Sequence, residues 1–294
     1  MPPRETLLLI DGHAAAYRAF YAIRNLTGPD GAPTNAIFGF VKSFQRAREL
    51  IQPSHLAVAW DGGLDEQRTD ILPGYKSERD PMPDALEPQL DAIIEWLEAS
   101  GISSIFEEGV EADDSIATLA RQAEAASRFT VIASPDKDFF QLINENIGLL
   151  NPNDKSGTVW GPEQVQAKTG VEPGQIVDWL SLVGDAVDDI PGVRGVGPKT
   201  ASKWLEQFGN LETLLLRINE IQPERFRGPL DNLREDLARN QKLVRLREDL
   251  PLPTAPSNLA PGPEDHGQLH ALYTSWGFRG LREALEASRQ QDLF

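Results

Sequence analysis

Three carboxylates lie close together in one short stretch of the chain, and a glycine-rich turn follows them. The stretch runs from Ser181 to Ala201, SLVGDAVDDIPGVRGVGPKTA, and its acids are Asp185, Asp188 and Asp189. An acidic patch favours a cation, whereas a glycine turn that leads into a helix N-terminus favours an anion. We therefore predict a metal site held at a fixed distance from a phosphate group.

The glycine turn contains Gly192, Gly195 and Gly197 between two prolines, and a helix is predicted to begin at about Lys199. A lysine in the first turn of a helix opposes the helix dipole, so its position is better explained if a phosphate binds there too. Taken alone, the stretch is also compatible with an acidic loop that precedes a glycine turn. Support must come from the rest of the chain.

Other acids follow predicted strands or open a predicted helix. The apolar runs Thr6–Ile10, His55–Trp60 and Phe129–Ala133 indicate buried parallel strands, and an aspartate comes shortly after each. Because sites in open α/β sheets form outside the carboxyl ends of the strands, we expect these acids to meet. With the acids of the opening stretch, the set is Asp11, Asp61, Glu111, Asp113, Asp114, Asp136, Asp138, Asp185 and Asp188.

Carboxylates brought this close repel one another, and a desolvated, unpaired charge is costly. Two or three divalent cations would neutralise them, and oxygen ligands without cysteine or a histidine cluster select Mg²⁺, with Mn²⁺ as the alternative, over zinc. Two such ions about 4 Å apart are suited to phosphodiester hydrolysis. The alternative for any single aspartate is a helix cap or a turn, and Glu111, Asp113 and Asp114 are favoured at a helix start by the dipole alone.

Composition limits the class of protein. There is no cysteine, which excludes disulfides and thiolate zinc sites, and the early apolar run Leu7–Ile10 is too short for a signal or membrane segment. We expect a cytoplasmic protein without a membrane partner. The net charge of −17 argues against tight, non-specific DNA binding but not against a metal-dependent enzyme.

The periodicity predicts an α/β region followed by a helical one. We expect an α/β core over 1–159, with a polar, mobile loop or arch at about 62–83, and a helical domain over 160–250. Residues 251–294 would contain a proline-rich linker (Pro251–Pro263), a C-terminal helix and a tail.

Five separated motifs resemble the 5′-nuclease, or flap endonuclease, family, and specifically the 5′→3′ exonuclease domain of bacterial DNA polymerase I. They occur in the family's order, and they are LLLIDGHAAAYRAFYAI, AWDGG with QRTDILPGYKSERDPMP, GVEADDSIATLA, ASPDKDFFQL and GDAVDDIPGVRGVGPKTA. The resemblance implies a mostly parallel central sheet flanked by helices, a PIN-like 5′-nuclease core, with a helical helix–hairpin–helix domain.

The resemblance also implies roles for individual residues. The catalytic metal would be held by Asp11, Asp61, Glu111 and Asp113, with Asp114 beside them. The second metal would be bound or oriented by the remaining four acids of the set. Lys76 and Arg79, expected on one helix face, would contact the scissile phosphate. Arg18 would lie near the substrate and take part in catalysis with this pair. Arg68 would also lie near the substrate and would contact the DNA. The implied helix–hairpin–helix would grip duplex phosphates and a monovalent cation such as K⁺ through Gly192, Gly195, Gly197, Lys199 and Thr200.

At four positions the chain departs from the family pattern. Asp189 replaces an asparagine and adds negative charge near the second metal, and Pro135 stands where a small residue is usual. Gln67 replaces an aromatic residue in the arch, and Trp60 replaces a phenylalanine. These changes concern metal affinity and substrate preference.

The expected activity is that of an Mg²⁺-dependent nuclease acting on 5′ flaps, nicked duplex or RNA-primed ends in replication and repair. The alternatives are a non-catalytic protein that binds branched DNA, a phosphatase and a single-stranded RNA nuclease. No polymerase sequence follows, so we expect a stand-alone nuclease, the alternative being a fragment of a longer protein. The tail resembles the peptide by which bacterial proteins dock on the sliding clamp, through Gln290, Asp292, Leu293 and Phe294; the alternative is a tail without a function.

Overall fold

The computed structural model describes residues 5–291, and a six-stranded sheet lies at its centre. Its strands are β1 (Thr6–Asp11), β2 (His55–Ala59), β3 (Ser103–Ile105), β4 (Phe129–Ala133), β5 (Ile147–Leu150) and β6 (Val159–Trp160). They follow the order β3-β2-β1-β4-β5-β6, and all neighbours are parallel except β5 and β6. This confirms the predicted α/β class with a mostly parallel central sheet.

Helices cover both faces of the sheet and form the helical region that follows it. In the first part they are α1 (Gly12–Ala22), α2 (Asn35–Ile51), α3 (Glu66–Ile71), α4 (Glu87–Ala99) and α5 (Ala112–Ala125). After the sheet come α6 (Pro162–Thr169), α7 (Ile176–Val183), α8 (Pro198–Phe208), α9 (Leu211–Leu216), α10 (Arg227–Asn232), α11 (Arg234–Val244), α12 (His266–Ser275) and α13 (Arg279–Gln291). A two-stranded hairpin, β7 (Gly184–Asp185) and β8 (Ile190–Pro191), lies between α7 and α8.

Strand β1 is buried on both sides, so its side chains enter two hydrophobic cores. Leu7 and Leu9 belong to the core that also contains α5 and residues of α7 to α11. Leu8 and Ile10 belong to the core formed with α1, α2, α4 and the C-terminal helices. This double burial is the reason that the segment is apolar throughout rather than alternating.

The parallel register brings the carboxyl ends of the central strands to one edge. Asp11 lies opposite Ala59 in β2, and Ile10 lies opposite Ala133 in β4. The residues that follow β2 and β4, including Asp61 and Asp136, therefore emerge at this edge on either side of β1. The sheet thus places acids from distant parts of the sequence at one edge.

The segment 62–83 differs from the predicted mobile loop. It contains α3 and packs on the core through Arg68 and Tyr75, which are 4% and 3% exposed. The pattern predicted a poor core segment because an arginine and a tyrosine with polar neighbours do not signal burial. Their burial depends on acidic partners that lie elsewhere in the sequence.

The proline-rich segment 251–263 also differs from a free linker. Leu259 is buried, and its carbonyl oxygen accepts the Leu56 N–H at 2.8 Å, next to the sheet. Farther on, the indole N–H of Trp96 donates to the hydroxyl oxygen of Tyr273 at 2.9 Å, which fixes α12 on α4. Within the helical region, Leu233 separates α10 from α11. Within residues 5–291, none of the helices has both the length and the apolar character needed to cross a membrane.

Candidate metal and nucleic-acid site

Three carboxylates form a compact group beside the β7–β8 hairpin. Asp138, Asp185 and Asp188 each offer one oxygen, and these oxygens all lie within 4.8 Å of one another. Oxygen Oδ1 of Asp138 is buried and has no hydrogen-bond partner. A set of carboxylate oxygens with one unsatisfied, buried acceptor fits a hard divalent cation such as Mg²⁺ or Mn²⁺.

A second group of acids lies at the carboxyl edge of the sheet. Burial raises the pKa of Asp11 to about 7, and the negative charges of Asp61 and Asp136 add to this although the Ala14 N–H hydrogen bond opposes it. Burial and the charges of Asp136, Asp11 and Asp61 likewise raise the pKa of Asp113 well above its ordinary value. Such mutual destabilisation of the charged forms is what a bound cation would relieve.

Helix-capping contacts coexist with this grouping. Asp11 caps α1, since its Oδ1 accepts the Ala14 N–H at 3.0 Å, and Asp61 Oδ1 accepts the Ala112 N–H at the start of α5 at 2.9 Å. His13 Nδ1 accepts the backbone N–H of Asp61, and burial lowers the pKa of His13 although the Asp61 charge opposes this, which favours the neutral ring. In Asp11 and in Asp61, one carboxylate oxygen is thus held by a backbone N–H. This hydrogen bond fixes the orientation of the side chain among the other acids.

Lys76 and Arg79 both reach the acidic groups. Lys76 Nζ lies 2.7 Å from Glu111 Oε1, and Arg79 Nη2 lies 2.6 Å from Asp188 Oδ1. The expectation that the two residues share a helix face is wrong, because α3 ends at Ile71 and Lys76 has a φ of +54° in a turn. The turn nevertheless directs one cation to each of the two predicted metal groups.

Sequence reasoning missed two residues that contact these acids. The hydroxyl of Tyr75 lies 3.2 Å from Glu111 Oε2 and 3.4 Å from Asp188 Oδ2, so it bridges the two groups. Lys137 Nζ donates to Asp185 Oδ2 at 2.7 Å. Tyr75 directly precedes Lys76, and Lys137 directly precedes Asp138. This position next to a predicted site residue is the signal in the sequence that indicates them.

Arg68 lies in a buried network of ion pairs. Its Nη1 is 2.7 Å from Asp114 Oδ2, 3.1 Å from Glu111 Oε2 and 3.3 Å from Asp65 Oδ2. Its Nε and Nη2 also donate to the carbonyl oxygens of Leu243 and Arg245. The predicted contact of Arg68 with DNA does not agree with this placement, because protein groups occupy its donors and solvent does not reach it.

The same network accounts for Asp114, which the family resemblance places with the metal ligands. The side chain of Asp114 is 0% exposed and accepts from Arg68 and from the backbone N–H and Nε of Arg247. Although burial favours the protonated form, the hydrogen bonds and charges of Arg68 and Arg247 lower the pKa of Asp114. Asp114 is therefore a partner of two arginines, and this corrects its assignment as a metal ligand.

The segment from α7 to α8 forms a compact turn that includes the predicted glycines. A Cβ on Gly192 would lie 2.2 Å from the carbonyl oxygen of Val183, so only glycine permits this approach, and Gly195 has a φ of +82°. Gly197 has no such constraint. Lys199 is exposed in the first turn of α8, and Thr200 is half-buried there.

Asn240 supports this turn and was not predicted. It is 1% exposed, and its Nδ2 donates to the carbonyl oxygens of Pro191 at 2.7 Å and Ser181 at 3.2 Å. It therefore ties α11 to both sides of the β7–β8 hairpin. An asparagine in a helix of mixed polarity carries no sequence signal for such a contact.

The remaining predicted residues have varied surroundings. Arg18 is exposed on α1 and donates to the Pro152 carbonyl oxygen at 2.8 Å and to Asn153 Oδ1 at 3.2 Å, so its catalytic role stays a prediction. Asp189, one of the departures from the family pattern, has a φ of +57° and accepts the Glu78 N–H at 2.9 Å. It thus joins the hairpin to the segment 62–83.

The other three departures have separate surroundings. The Trp60 ring contacts His13 and Phe40, Pro135 directly precedes Asp136, and the backbone N–H of Gln67 donates to Asp65. Of the predicted tail, Asp292, Leu293 and Phe294 lie outside the described residues, and Gln290 is described only as backbone in α13.

Sequence comparison identifies relatives over nearly the whole chain. The chain is 37% identical over 290 residues to DNA polymerase I of Mycobacterium tuberculosis. The matched region covers 96% of this chain but only 32% of the polymerase. It is 40% identical over 256 residues to a 5′-3′ exonuclease of Aquifex aeolicus, covering 87% of this chain and 86% of that protein. The chain thus spans a minor part of the polymerase relatives and most of the exonuclease.

Solved structures share the fold. The T5 5′-exonuclease with divalent metal ions has a TM-score of 0.69 at 21% identity, over 83% of this chain and 90% of that one. The catalytic core of Rad2 in complex with DNA substrate has a TM-score of 0.64 at 16% identity, over 93% and 88%. At these identities the likeness concerns the fold alone.

Family models match the two successive parts of the chain described above. Residues 6–170, which contain the sheet and its acidic edge, match the 5′-3′ exonuclease N-terminal resolvase-like domain. Residues 171–267, which contain the α7–α8 turn, match the 5′-3′ exonuclease C-terminal SAM fold. With the acids, the cations and the glycine turn in these positions, the chain belongs to the 5′-3′ exonuclease family.

Proposed function

We propose that this protein is a structure-specific 5′ nuclease that hydrolyses phosphodiester bonds at the 5′ ends and flaps of branched DNA. The observation that carries the proposal is the meeting of two acidic groups with cations from the segment 62–83, Lys76 at Glu111 and Arg79 at Asp188. Carboxylates that suit metal ions therefore lie next to cationic side chains that suit a phosphate, as hydrolysis of a phosphodiester requires.

The acids would divide between two Mg²⁺ ions. Asp11, Asp61, Glu111 and Asp113 would hold one, and Asp136, Asp138, Asp185 and Asp188 the other. When bound, such ions supply an activated water and neutralise charge on the leaving oxygen. The Tyr75 hydroxyl lies between Glu111 and Asp188 and can donate its one proton to either carboxylate. Lys76 and Arg79 orient the phosphate by charge and stabilise its developing negative charge.

The α7–α8 turn would hold duplex DNA. Gly192 and Gly195 allow the close backbone approach of the turn, and Lys199 presents an exposed cation at the start of α8. A helix N-terminus after a glycine turn suits a phosphate, and K⁺ at the turn would strengthen the contact. The T5 flap endonuclease, which shares the fold, has been solved with DNA and metal ions, and this supports DNA as the ligand class.

The division into a core at 1–159, a helical domain at 160–250 and a C-terminal part at 251–294 stays our proposal, as does a cytoplasmic location. Nicked duplex and RNA-primed ends are proposed as further substrates. We propose the sliding clamp as a partner of the tail from Gln290 to Phe294, which would raise the local DNA concentration. Equal clamp affinity with and without the last five residues would contradict this.

A cleavage assay tests the nuclease. A 5′-flap duplex, a nicked duplex and a single-stranded RNA, each labelled at the 5′ end, are incubated with the protein in Mg²⁺ or in EDTA. We expect Mg²⁺-dependent cleavage of the flap and the nicked duplex. Flap binding without cleavage would instead support a non-catalytic protein that binds branched DNA, and cleavage of the RNA alone would support an RNA nuclease.

A further inference from the structure

Lys137 lies among the acids of the second metal group and has no role in the function proposed above. Its Nζ donates to Oδ2 of Asp185 at 2.7 Å, and the Lys137 side chain is 37% exposed whereas that of Asp185 is 8% exposed. In the sequence it stands between Asp136 and Asp138. One ammonium group is therefore paired with, or next in sequence to, three of the four acids assigned to the second metal.

Both carboxylate oxygens of Asp185 already accept a hydrogen bond from the protein. Oδ1 accepts the backbone N–H of Val187 at 3.0 Å, within the β7–β8 hairpin, and Oδ2 accepts from Lys137. The backbone N–H cannot withdraw unless the hairpin changes its conformation, whereas the end of a lysine side chain can move away. A metal ion that binds Oδ2 of Asp185 therefore has the Lys137 ammonium as its competitor.

Side-chain cations compensate most of the charge of the compact group formed by Asp138, Asp185 and Asp188. Lys137 pairs with Asp185 at 2.7 Å, and Arg79 pairs with Asp188 at 2.6 Å. The buried Oδ1 of Asp138 has no hydrogen-bond partner. The protein thus supplies its own cation at two of the three carboxylates and leaves an oxygen of the third one open.

The amine of Lys137 carries its charge in this position. Burial lowers the pKa of Lys137, but the hydrogen bond from Lys137 to Asp185 and the charges of Asp185, Asp138 and Asp136 outweigh it, so that the pKa is raised overall. Two cations that share one carboxylate repel each other, and the repulsion is greater when one of them is divalent. A divalent ion that binds Asp185 should therefore expel the ammonium.

Exposure distinguishes Lys137 from Lys76, the other lysine that contacts these acids. Lys76 pairs with Glu111 at 2.7 Å, its side chain is only 8% exposed, and its Nζ lies 4.9 Å from the centre of the Tyr75 ring. Protein groups therefore enclose the Lys76 ammonium. The more exposed Lys137 can turn its ammonium into water, where the charge is solvated. Of the two lysines, Lys137 is the one that can exchange with a metal ion.

We propose that Lys137 is an exchangeable counterion, whose ammonium neutralises Asp185 in the metal-free protein and leaves when a divalent cation binds the compact group. The inference rests on the proposed function, because it concerns the metal ions that the nuclease would use, and it identifies a residue that sets their affinity. Lys137 stabilises the fold without metal, since it pairs with a largely buried carboxylate. It also weakens the binding of a divalent cation, which must displace it.

Isothermal titration calorimetry of the full chain with Mn²⁺, in the absence of DNA, tests the proposal. We expect Lys137→Met to tighten Mn²⁺ binding by about tenfold, because a partly exposed positive charge beside the divalent ion is removed. A merely structural role of Lys137 predicts the opposite, since a disturbed site binds the ion more weakly. In EDTA the variant should have a lower Tm than the unaltered protein, and saturating Mn²⁺ should remove this difference.

Two comparison variants isolate the contact. Lys168→Met removes the same charge from an exposed position on α6, which carries none of the acids of the predicted set, so the Mn²⁺ affinity should not change. In an Asp185→Asn background, Lys137→Met should have little effect, because the carboxylate for which the two cations compete is gone. If Lys137→Met does not fold, as judged by circular dichroism, Lys137→Gln replaces it, since the amide keeps a hydrogen-bond donor and removes the charge.

Unchanged or weaker Mn²⁺ binding in the folded Lys137 variant would overturn the proposal. Equal tightening in Lys168→Met, or tightening that persists in the Asp185→Asn background, would overturn it as well. The cleavage assay separates this result from the proposed function. Mg²⁺-dependent flap cleavage by the unaltered protein, without a change of Mn²⁺ affinity in the variant, would overturn the counterion and leave the nuclease in place. Tighter Mn²⁺ binding in the variant, without flap cleavage by the unaltered protein, would support the counterion and contradict the nuclease.

Discussion

Arg68 and Asp114 form a two-pronged ion pair at the base of α5, with Nη1–Oδ2 and Nη2–Oδ1 distances of 2.7 and 2.9 Å. Both side chains are buried, and the pair joins the segment 62–83 to the helix that carries Asp113. Arg68 also reaches Glu111, a proposed metal ligand. The segment that supplies Lys76 and Arg79 is thereby fixed to the acids that they approach.

We expect Arg68→Met to destabilise the protein by about 3–5 kcal/mol, because the buried carboxylates of Asp65 and Asp114 lose one of the two arginines that they contact and keep Arg247 alone. Urea unfolding followed by circular dichroism measures this loss. Arg217→Met is the control, since Arg217 pairs with Glu220 at the surface, where such pairs contribute at most about 1 kcal/mol. Equal losses in the two variants would show that the buried network has no special role.

Tyr75→Phe removes the hydroxyl that bridges Glu111 and Asp188 and leaves the buried ring in place. Under the proposed function, we expect kcat for flap cleavage to fall by about tenfold or more, because a hydrogen bond to a charged group contributes about 1.5–3 kcal/mol. Flap affinity in EDTA should change little. Single-turnover cleavage and fluorescence anisotropy make the comparison. An unchanged rate would mean that the bridge does not orient the acids for catalysis.

Gly192→Ala should destabilise the α7–α8 turn, because the new Cβ would lie 2.2 Å from the Val183 carbonyl oxygen. We expect a loss of more than about 2 kcal/mol, since overpacked sites cost about 1–3 kcal/mol and backbone cannot move aside as a side chain does. Gly197→Ala is the matched control, because a Cβ there meets nothing within 4 Å. Thermal unfolding of both variants gives the result, and similar melting temperatures would contradict the close approach.

The acidic edge should make the stability of the metal-free protein fall as pH rises. Burial raises the pKa of Asp11 to about 7, so at pH values between its ordinary pKa and about 7 the folded state holds a proton that the unfolded state has lost. A divalent cation binds the ionised carboxylate of Asp11, so its binding releases the proton that the folded state holds. We therefore expect Mg²⁺ to raise Tm more at a pH of about 8 than at a pH of about 5.

Differential scanning fluorimetry with Mg²⁺ or EDTA at both pH values measures this effect. Asp185→Asn/Asp188→Asn is the comparison variant, and it should lose much of the increment because it removes charge from the compact group with Asp138. An increment of the same size at both pH values would show that proton release does not accompany metal binding.

Much of the fold follows from the sequence by itself. The apolar run of β1 predicts a doubly buried strand, and the acids after β1, β2 and β4 predict a common edge, because parallel strands direct their carboxyl ends the same way. The periodicity likewise predicts an α/β region followed by a helical one. These signals depend on residues that are close together in the chain, so they can be recognised in a single sequence.

Only the tertiary structure decided which charges are partners. Arg68 and Asp114 carry the same local signals as Lys76 and Asp113, yet one pair is sealed in an ion network and the other belongs to the acidic edge. An ion pair depends on distance and burial across the fold, which residue type and spacing do not encode. The same holds for the turn held by Asn240 and for the pairing of Lys137 with Asp185, since the partners come from segments far apart in the chain.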